Sequence, residues 1–512
     1  MEISKRTART ALVWVIAFYV VLAALYAVNT PIWQAPDEPA HFNYVAHLAN
    51  ELSFPVLSEG DYPHPYLEEI KAARFPPTMP ITALRYESHQ PPLYYLLAAP
   101  IYLAVRSLDL SSQVLGLRLF SIALGAAGLW VLYHMAEEAL GGLAQPASAD
   151  RATSASLAAT AFVAVLPMHV AVTASVNNDV LAELVLLCIL WRALRTIHRG
   201  FDLREAWATG LWVGLALLTK TTIYLPAAGV VSLAICLARP RYGGSLNSLR
   251  ARVVYGAKAL AVSLAMAAPW FLRNAVVYGN LDILGWQRHD AIVAGQLRTQ
   301  DLLAQLGWQE FLTRFVRTTF RSFWGQFGWM GVLLDDRVYQ AFAVLTAILA
   351  LAFALAALRL WRDRAEMPTW QKRAFGLLAA AAGLTMITYI GYNLKFVQHQ
   401  GRYLFPALGP LAVAVGLGAL ELCRPRVSSR LALLLCLVAA ALGGLGAVSG
   451  DLPGWTLLLL LTATAWLTLA AWLPSHWRWL PLGSLYLGLL VLNPILIHRF
   501  LVPALSIASA SP

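Results

Sequence analysis

Residues 35–44 read APDEPAHFNY and place Asp37, Glu38 and His41 within five positions of one another. They follow the first hydrophobic run almost at once, in a chain where only 13% of residues are charged. A carboxylate so placed could take a proton from a hydroxyl or an amine. It could equally cap the helix suggested by AHFNYVAHL, and His41 could simply pack on that helix face. Further polar groups stand out against the apolar background. They are His89 in HQPPLYY, Asp179 in SVNNDV and Lys220 in LLTKTT. Arg273 and Asn274 follow in APWFLRNAVVYGN, and Lys395, Gln400, Arg402 and Tyr403 in LKFVQHQGRYLFP. Lysine and arginine can hold a phosphate, arginine with two parallel bonds. Each signal also has an ordinary reading. Asp179 could be a helix cap, Lys220 a snorkelling lysine, and Arg273 and Arg402 belt residues against lipid headgroups. Pro91 and Pro92 could make HQPPLYY a plain turn. The stretch SFWGQFGWM, 322–330, reads as a surface-lying amphipathic piece.

What must position these groups is a set of membrane helices. The chain has 512 residues, 59% of them hydrophobic, and a mean hydropathy of +0.61. Uncharged runs near span length recur throughout, which predicts an all-α polytopic membrane protein. Many of the 18 Trp and 19 Tyr sit near segment ends, as an interfacial belt requires. The net charge of +11 sits in short loops between spans, so topology accounts for it better than nucleic-acid binding. Cys188, Cys236, Cys423 and Cys436 lie in or beside apolar segments without CxxC spacing, which predicts neither a disulfide framework nor a zinc site. The N-terminus reads as a retained signal anchor.

Lys5, Arg6 and Arg9 precede the first span and predict a cytoplasmic N-terminus. Basic loops at 192–204, 239–252, 359–373, 424–430 and 476–478 mark the same face. Spans are expected at about 11–30, 116–136, 153–173, 180–197, 205–219, 222–238 and 253–271, then at 338–360, 374–392, 403–422, 431–449, 455–473 and 479–498. That makes about thirteen. The apolar piece 91–106 is short and carries three prolines. A full crossing there would turn the arginine-rich loop 192–204 outward, so it reads as an interfacial or re-entrant helix. Two long loops, 31–115 and 272–337, then fall outside, where long ordered loops usually carry function.

This topology sends Asp37, Glu38, His41, Asp179, Lys220, Arg273 and Arg402 to one face. A phosphate at a membrane boundary that needs several cations suggests a lipid-linked phosphate. A sugar on it could be displaced in one inverting step, with nearby negative charge stabilising an oxocarbenium-like transition state.

Together PDEPAHF, HQPPLYY, NND, LALLTKTT, PWFLRN with YGN, and QGRYLFP resemble the GT-C glycosyltransferases. The resemblance is to bacterial members of the protein-mannosyltransferase and aminoarabinose-transferase type, over residues 1 to about 410. It implies a catalytic transmembrane region over 1–410, while 411–512 reads from hydropathy alone as further, generic transmembrane helices. It implies interfacial helices in the first outer loop and a catalytic base at Asp37, with Glu38 beside it and Asp179 as a second acidic residue. It also implies Lys220 near the lipid phosphate, with Arg273 or Arg402 in a similar role. His41, His89, Asn274, Lys395, Gln400 and Tyr403 join the expected substrate-binding set. A divalent metal at Asp37 and Asp179 is left open, and no other cofactor is expected. The first loop lacks a DxD motif, and the chain lacks the WWDxG signature of the oligosaccharyltransferase branch.

The expected function is therefore an inner-membrane glycosyltransferase. It would use a polyprenyl-phosphate sugar donor and a glycan, lipid or protein acceptor at the outer face. The alternatives are a transporter or flippase of lipid-linked glycans, and a non-catalytic lipid-binding subunit. A transporter calls for mid-membrane charges and internal repeats. Here Glu183 and Lys258 are the main mid-span charges, and no repeat is evident.

Overall fold

The computed structural model describes residues 5–141, 148–241 and 248–506. Among these, helices account for nearly all regular structure, and strands are absent apart from isolated bridges. That follows from the composition, because a chain in hydrocarbon must satisfy every backbone group within its own segment. The first helix, α1 (Lys5–Asn29), leads into α2 (Glu38–Glu51), α3 (His64–Ala72) and α4 (Leu93–Val105). There follow α5 (Leu110–Leu140), α6 (Ser148–Val165), α7 (Pro167–Thr173), α8 (Asp179–Arg199), α9 (Glu205–Leu217), α10 (Tyr224–Leu237) and α11 (Ser248–Tyr278). The second long loop carries α12 (Trp286–Ile292) and α13 (Thr299–Trp324). The chain ends with α14 (Asp336–Arg362), α15 (Thr369–Asn393), α16 (Leu408–Leu422), α17 (Pro425–Ser449), α18 (Gly454–Trp472), α19 (Leu480–Leu496) and α20 (Val502–Leu505). Most buried apolar side chains from Tyr19 to Leu505 form one large core, and Phe201, Ala206, Ala238 and Tyr255 form a small second cluster.

A helix forms at each of the thirteen stretches expected to span. Among the described residues, however, nine are long and apolar enough to cross a bilayer, or ten if α6 and α7 count as one span bent by 67°. Pro167 causes that bend by forcing Leu166 into extended backbone. The remaining three differ for physical reasons. Helix α8 carries Asp179, Glu183, Arg192, Arg195 and Arg199 along its length. Helices α9 and α10 have 13 and 14 residues, or about 20 Å at 1.5 Å per residue, against a hydrocarbon core of about 30 Å. They make a short hairpin with Lys220 at its tip.

Helix α4 covers the proline-rich piece 91–106 and does not run alongside α5. The Tyr94 hydroxyl bonds Ser121, while Val105 lies against Gly116. The two ends of α4 thus meet α5 only about one and a half turns apart, so α4 crosses it obliquely. With 13 residues it is also too short to span.

Charged contacts mark the two ends of the bundle. At one end His198 meets Glu138 at 2.5 Å, Arg373 donates to the Leu237 carbonyl at 2.6 Å, and Arg359 meets Glu421 at 2.8 Å. At the other end lie the pairs of Asp37, Glu38 and Asp179. The segment 242–247 of the basic loop 239–252 lies outside the described residues.

The stretch 322–330 is not a surface-lying piece. Helix α13 stops at Trp324, and Phe327 and Val332 then pair across a tight turn in both directions at 3.0 Å. Gly328, Trp329 and Met330 all take positive φ, at 55°, 53° and 66°. The Trp329 indole donates to the Trp33 carbonyl at 2.9 Å and stacks on Phe75. The second long loop is thereby pinned to the first.

Candidate active site

Asp37 sits at the start of α2 with φ of 66°, a left-handed backbone that Asp tolerates better than most residues. Its side chain makes no capping bond. It points away from its helix instead, with Oδ2 2.8 Å from Arg402 Nη2 and Oδ1 accepting from the Tyr86 hydroxyl at 3.1 Å. Arg402 lies in the 3₁₀ turn Gly401–Ala407 before α16. That turn can press against α13 because Gly401 has no side chain: a Cβ there would come within 2.3 Å of the Phe323 backbone nitrogen.

The NND motif divides its labour. Asn177 Oδ1 accepts from the backbone N–H groups of Asp179 and Val180 and so caps α8. Asp179 is left free to meet Lys220 Nζ at 2.7 Å. Asn178 is fully buried, and its amide has no hydrogen-bond partner among the described residues. Lys220 is held by its position between α9 and α10, where the Leu218 carbonyl accepts from the N–H of Leu93 at 2.8 Å. The hairpin tip is thus tied to the HQPPLYY segment.

These elements enclose a cavity of about 1160 Å³ whose wall includes Asp37, His41, His89, Lys220, Arg402 and Tyr403. Lys395 and Gln400 also line it. Lys395 is ion-paired with Asp290, and Gln400 donates to Gln398 at 2.7 Å. His41 Nδ1 lies 2.9 Å from the Tyr95 hydroxyl. His89 Nδ1 lies 3.0 Å from the Tyr86 carbonyl, which makes it the N–H donor and leaves Nε2 as acceptor. Eight of the twelve expected site residues therefore face one space, and Asp179 reaches its edge through Lys220.

Three expected residues do not. Glu38 is fully buried and grips Arg118, at 2.6 Å and 2.8 Å. It also accepts from the backbone N–H groups of Trp33 and Val176, at 3.1 Å and 3.2 Å. Arg118 in turn donates to the carbonyls of Ala27 and Thr30, each at 2.7 Å. Glu38 is a clasp between α1, α5 and the α7–α8 link, not a group that meets substrate. Arg273 turns to the carbonyls of Phe54 and Pro55, at 3.2 Å and 2.6 Å, and lies over Trp270. Asn274 donates to the Ile283 carbonyl at 3.0 Å. Arg273 thereby ties the two outer loops together, Asn274 braces the second loop on itself, and neither lines the cavity.

The structure adds residues that the motifs did not single out. Tyr86, Glu87, His289, Asp290 and Met330 are on the same wall. Burial pushes the Asp37 carboxyl up, but Arg402 and then His41 outweigh it and hold Asp37 below the ordinary aspartate range. Burial raises Glu87, and the Asp37 charge adds to that. His89 and His289 stand with ring centroids 4.7 Å apart. Burial depresses both, to about 4 and about 3 respectively, so both are neutral near pH 7. Among the described residues no three His, Cys, Asp or Glu side chains group as metal ligands. Asp37 and Asp179, the pair considered for a metal, are each paired with a cationic side chain.

No family model matches the sequence, and no curated protein does. The chain is similar to the solved structure of ArnT from Cupriavidus metallidurans bound to undecaprenyl phosphate, with a TM-score of 0.48 and 16% identity over 96% of this chain and 74% of that one. It is also similar to the Archaeoglobus fulgidus oligosaccharyltransferase tethered with an acceptor peptide, with a TM-score of 0.45 and 13% identity over 96% of this chain and 55% of that one. A further similar structure is AglB from Archaeoglobus fulgidus in complex with an inhibitory peptide and a dolichol-phosphate, at a TM-score of 0.39 and 12% identity over 89% and 56%.

Proposed function

We propose that this protein is an integral membrane glycosyltransferase of the GT-C type. It takes a sugar from a polyprenyl-phosphate donor and transfers it, with inversion, to a hydroxyl or amine of an acceptor at the outer face. The N-terminus is cytoplasmic, and the membrane is the plasma (inner) membrane. One observation carries the reading: a carboxylate and two cations, Asp37, Lys220 and Arg402, share one cavity at a single end of a membrane-spanning bundle.

In this mechanism Asp37 accepts the proton of the acceptor O–H or N–H. The freed lone pair attacks the anomeric carbon as the bond from that carbon to the phosphate oxygen breaks. The electron pair leaves with the polyprenyl phosphate, whose growing charge Lys220 and Arg402 stabilise. Asp179 holds Lys220 in place. Because Arg402 is bonded to Asp37 in the free protein, a phosphate that draws on the same guanidinium weakens the field that keeps Asp37 acidic. Donor binding thereby strengthens the base.

The test uses purified protein with a panel of polyprenyl-phosphate sugars. Asp37→Asn should lower transfer by about 10²- to 10⁴-fold, the usual range for losing a general base, while donor binding survives. Transfer at the wild-type rate in Asp37→Asn sinks the assignment. Lipid analysis of a deletion strain names the donor, through accumulation of one polyprenyl-phosphate sugar.

A further inference from the structure

A second cavity, of about 700 Å³, opens at the opposite end of the bundle. Glu421 marks its depth: it stands at the far end of the 22-residue segment Gly401–Leu422 from Arg402, roughly 30 Å away by helical rise. Four arginines from separate elements line this cavity: Arg151 of α6, Arg359 of α14, Arg424 between α16 and α17, and Arg478 between α18 and α19. Arg359 and Arg424 share one buried carboxylate, Glu421, at 2.8 Å and 3.4 Å. Arg478 donates to a backbone carbonyl, that of Leu473. Arg151 has no hydrogen-bond or ion-pair partner among the described residues. Two more carboxylates, Asp363 and Glu366, share the rim and leave the arginines in excess.

Much of the rest of the wall is apolar, interrupted by Ser154 and Ser475, and most of it comes from the helices of the bundle. Val15 of α1, Leu417 and Leu420 of α16 and Tyr486 of α19 face the space, with Leu157 and Ala161 of α6. A soluble anion has no use for such a floor. An amphiphile with a phosphate head and hydrocarbon tails uses both parts. Crowding supports the same view. Burial pushes the Arg424 guanidinium down, and Arg359 and Arg151 beside it add to this against Glu421. A phosphate there would relieve the like charges.

We propose that this cavity binds the headgroup phosphate of one anionic phospholipid, in the leaflet opposite the Asp37 cavity. The site is independent of the transfer reaction.

Native mass spectrometry of the full-length protein in detergent tests it, with phosphatidylglycerol and phosphatidylcholine of equal chain length as probes. Wild type should retain one phosphatidylglycerol in preference to phosphatidylcholine. Arg151→Gln with Arg478→Gln, neither of which holds Glu421, should weaken that binding by about thirtyfold. Arg195→Gln with Arg199→Gln, at the same end but outside this cavity, should leave it unchanged. If the first pair fails to fold, Ala161→Leu narrows the apolar floor with every arginine in place and should give the same loss. Equal losses in the Arg195 and Arg199 variant mean a general charged belt and overturn the site, as does unchanged binding in the first pair. Displacement of the lipid by inorganic phosphate alone overturns the lipid assignment in favour of a soluble phosphate.

Discussion

Asp37 and Glu87 face one cavity, and their carboxyls are pushed in opposite directions. Burial raises both, but only Asp37 has a guanidinium bonded to it, and its own charge then raises Glu87 further. Carboxyls split in this way separate a base from a group that holds its proton to higher pH. The pH–rate profile of kcat/KM should therefore keep its acid limb below the ordinary aspartate range, since Asp37 stays ionised there. Glu87→Gln fixes the protonated form and should keep most of the activity in mildly acidic buffer. A collapse of activity in Glu87→Gln at that pH assigns the base to Glu87 instead.

Lys220 and Arg402 should govern the donor, and Arg273 should not. Removing one charge-assisted contact to phosphate costs about 1.5–3 kcal/mol, or roughly ten- to a hundredfold in donor affinity. Lys220→Gln and Arg402→Gln should each weaken donor binding by that much. Arg273→Gln should leave it within about twofold and act on stability alone, because Arg273 holds the carbonyls of Phe54 and Pro55. Binding isotherms with a radiolabelled donor distinguish the three.

Glu38→Ala should act on folding rather than on chemistry. It leaves Arg118, only 3% exposed, without its counter-charge, a loss of about 3–5 kcal/mol for a broken buried pair. Thermal unfolding in detergent should show a large fall in Tm. Asp37→Asn should shift Tm far less, since the Asp37 side chain is 26% exposed. Equal shifts in the two variants contradict the division of roles drawn for these neighbours.

Orientation is read by labelling. In a background lacking the four native cysteines, Glu68→Cys should react with an impermeant reagent from outside only. Lys372→Cys should react only from the cytoplasm. Glu68 lines the Asp37 cavity and is half-exposed, and Lys372 is exposed on α15 beside Arg373, which binds the Leu237 carbonyl. The reverse pattern places the transfer site in the cytoplasm.

Much of this was legible from residues because charge is scarce in an apolar chain. Depth along the membrane follows from helix length and basic loops, and that placed Asp37, Lys220 and Arg402 at one end. Direction around a helix or turn is not written in the same way. Asp37 and Glu38 are neighbours, yet a left-handed φ sends one side chain to the cavity and leaves the other with Arg118. Arg273 has the expected depth but turns to backbone carbonyls. His289 and Asp290 sit in a long loop with no motif around them, so only the fold brings them to the wall. Helices α9 and α10 read as spans by hydropathy, although their lengths stop short.

The Arg402–Asp37 bond joins residues 365 positions apart, and that separation bears on how the protein is made. Glu38 meets Arg118 only 80 positions downstream, and Asp179 meets Lys220 sooner still. As the ribosome feeds the chain into the bilayer, those two carboxylates find their partners early. Asp37 waits through most of translation. A chain released before residue 402 can have its first helices clasped and its hairpin in place, yet it lacks the guanidinium that pairs with Asp37. Under the proposed mechanism no fragment shorter than about four-fifths of the chain can carry out transfer.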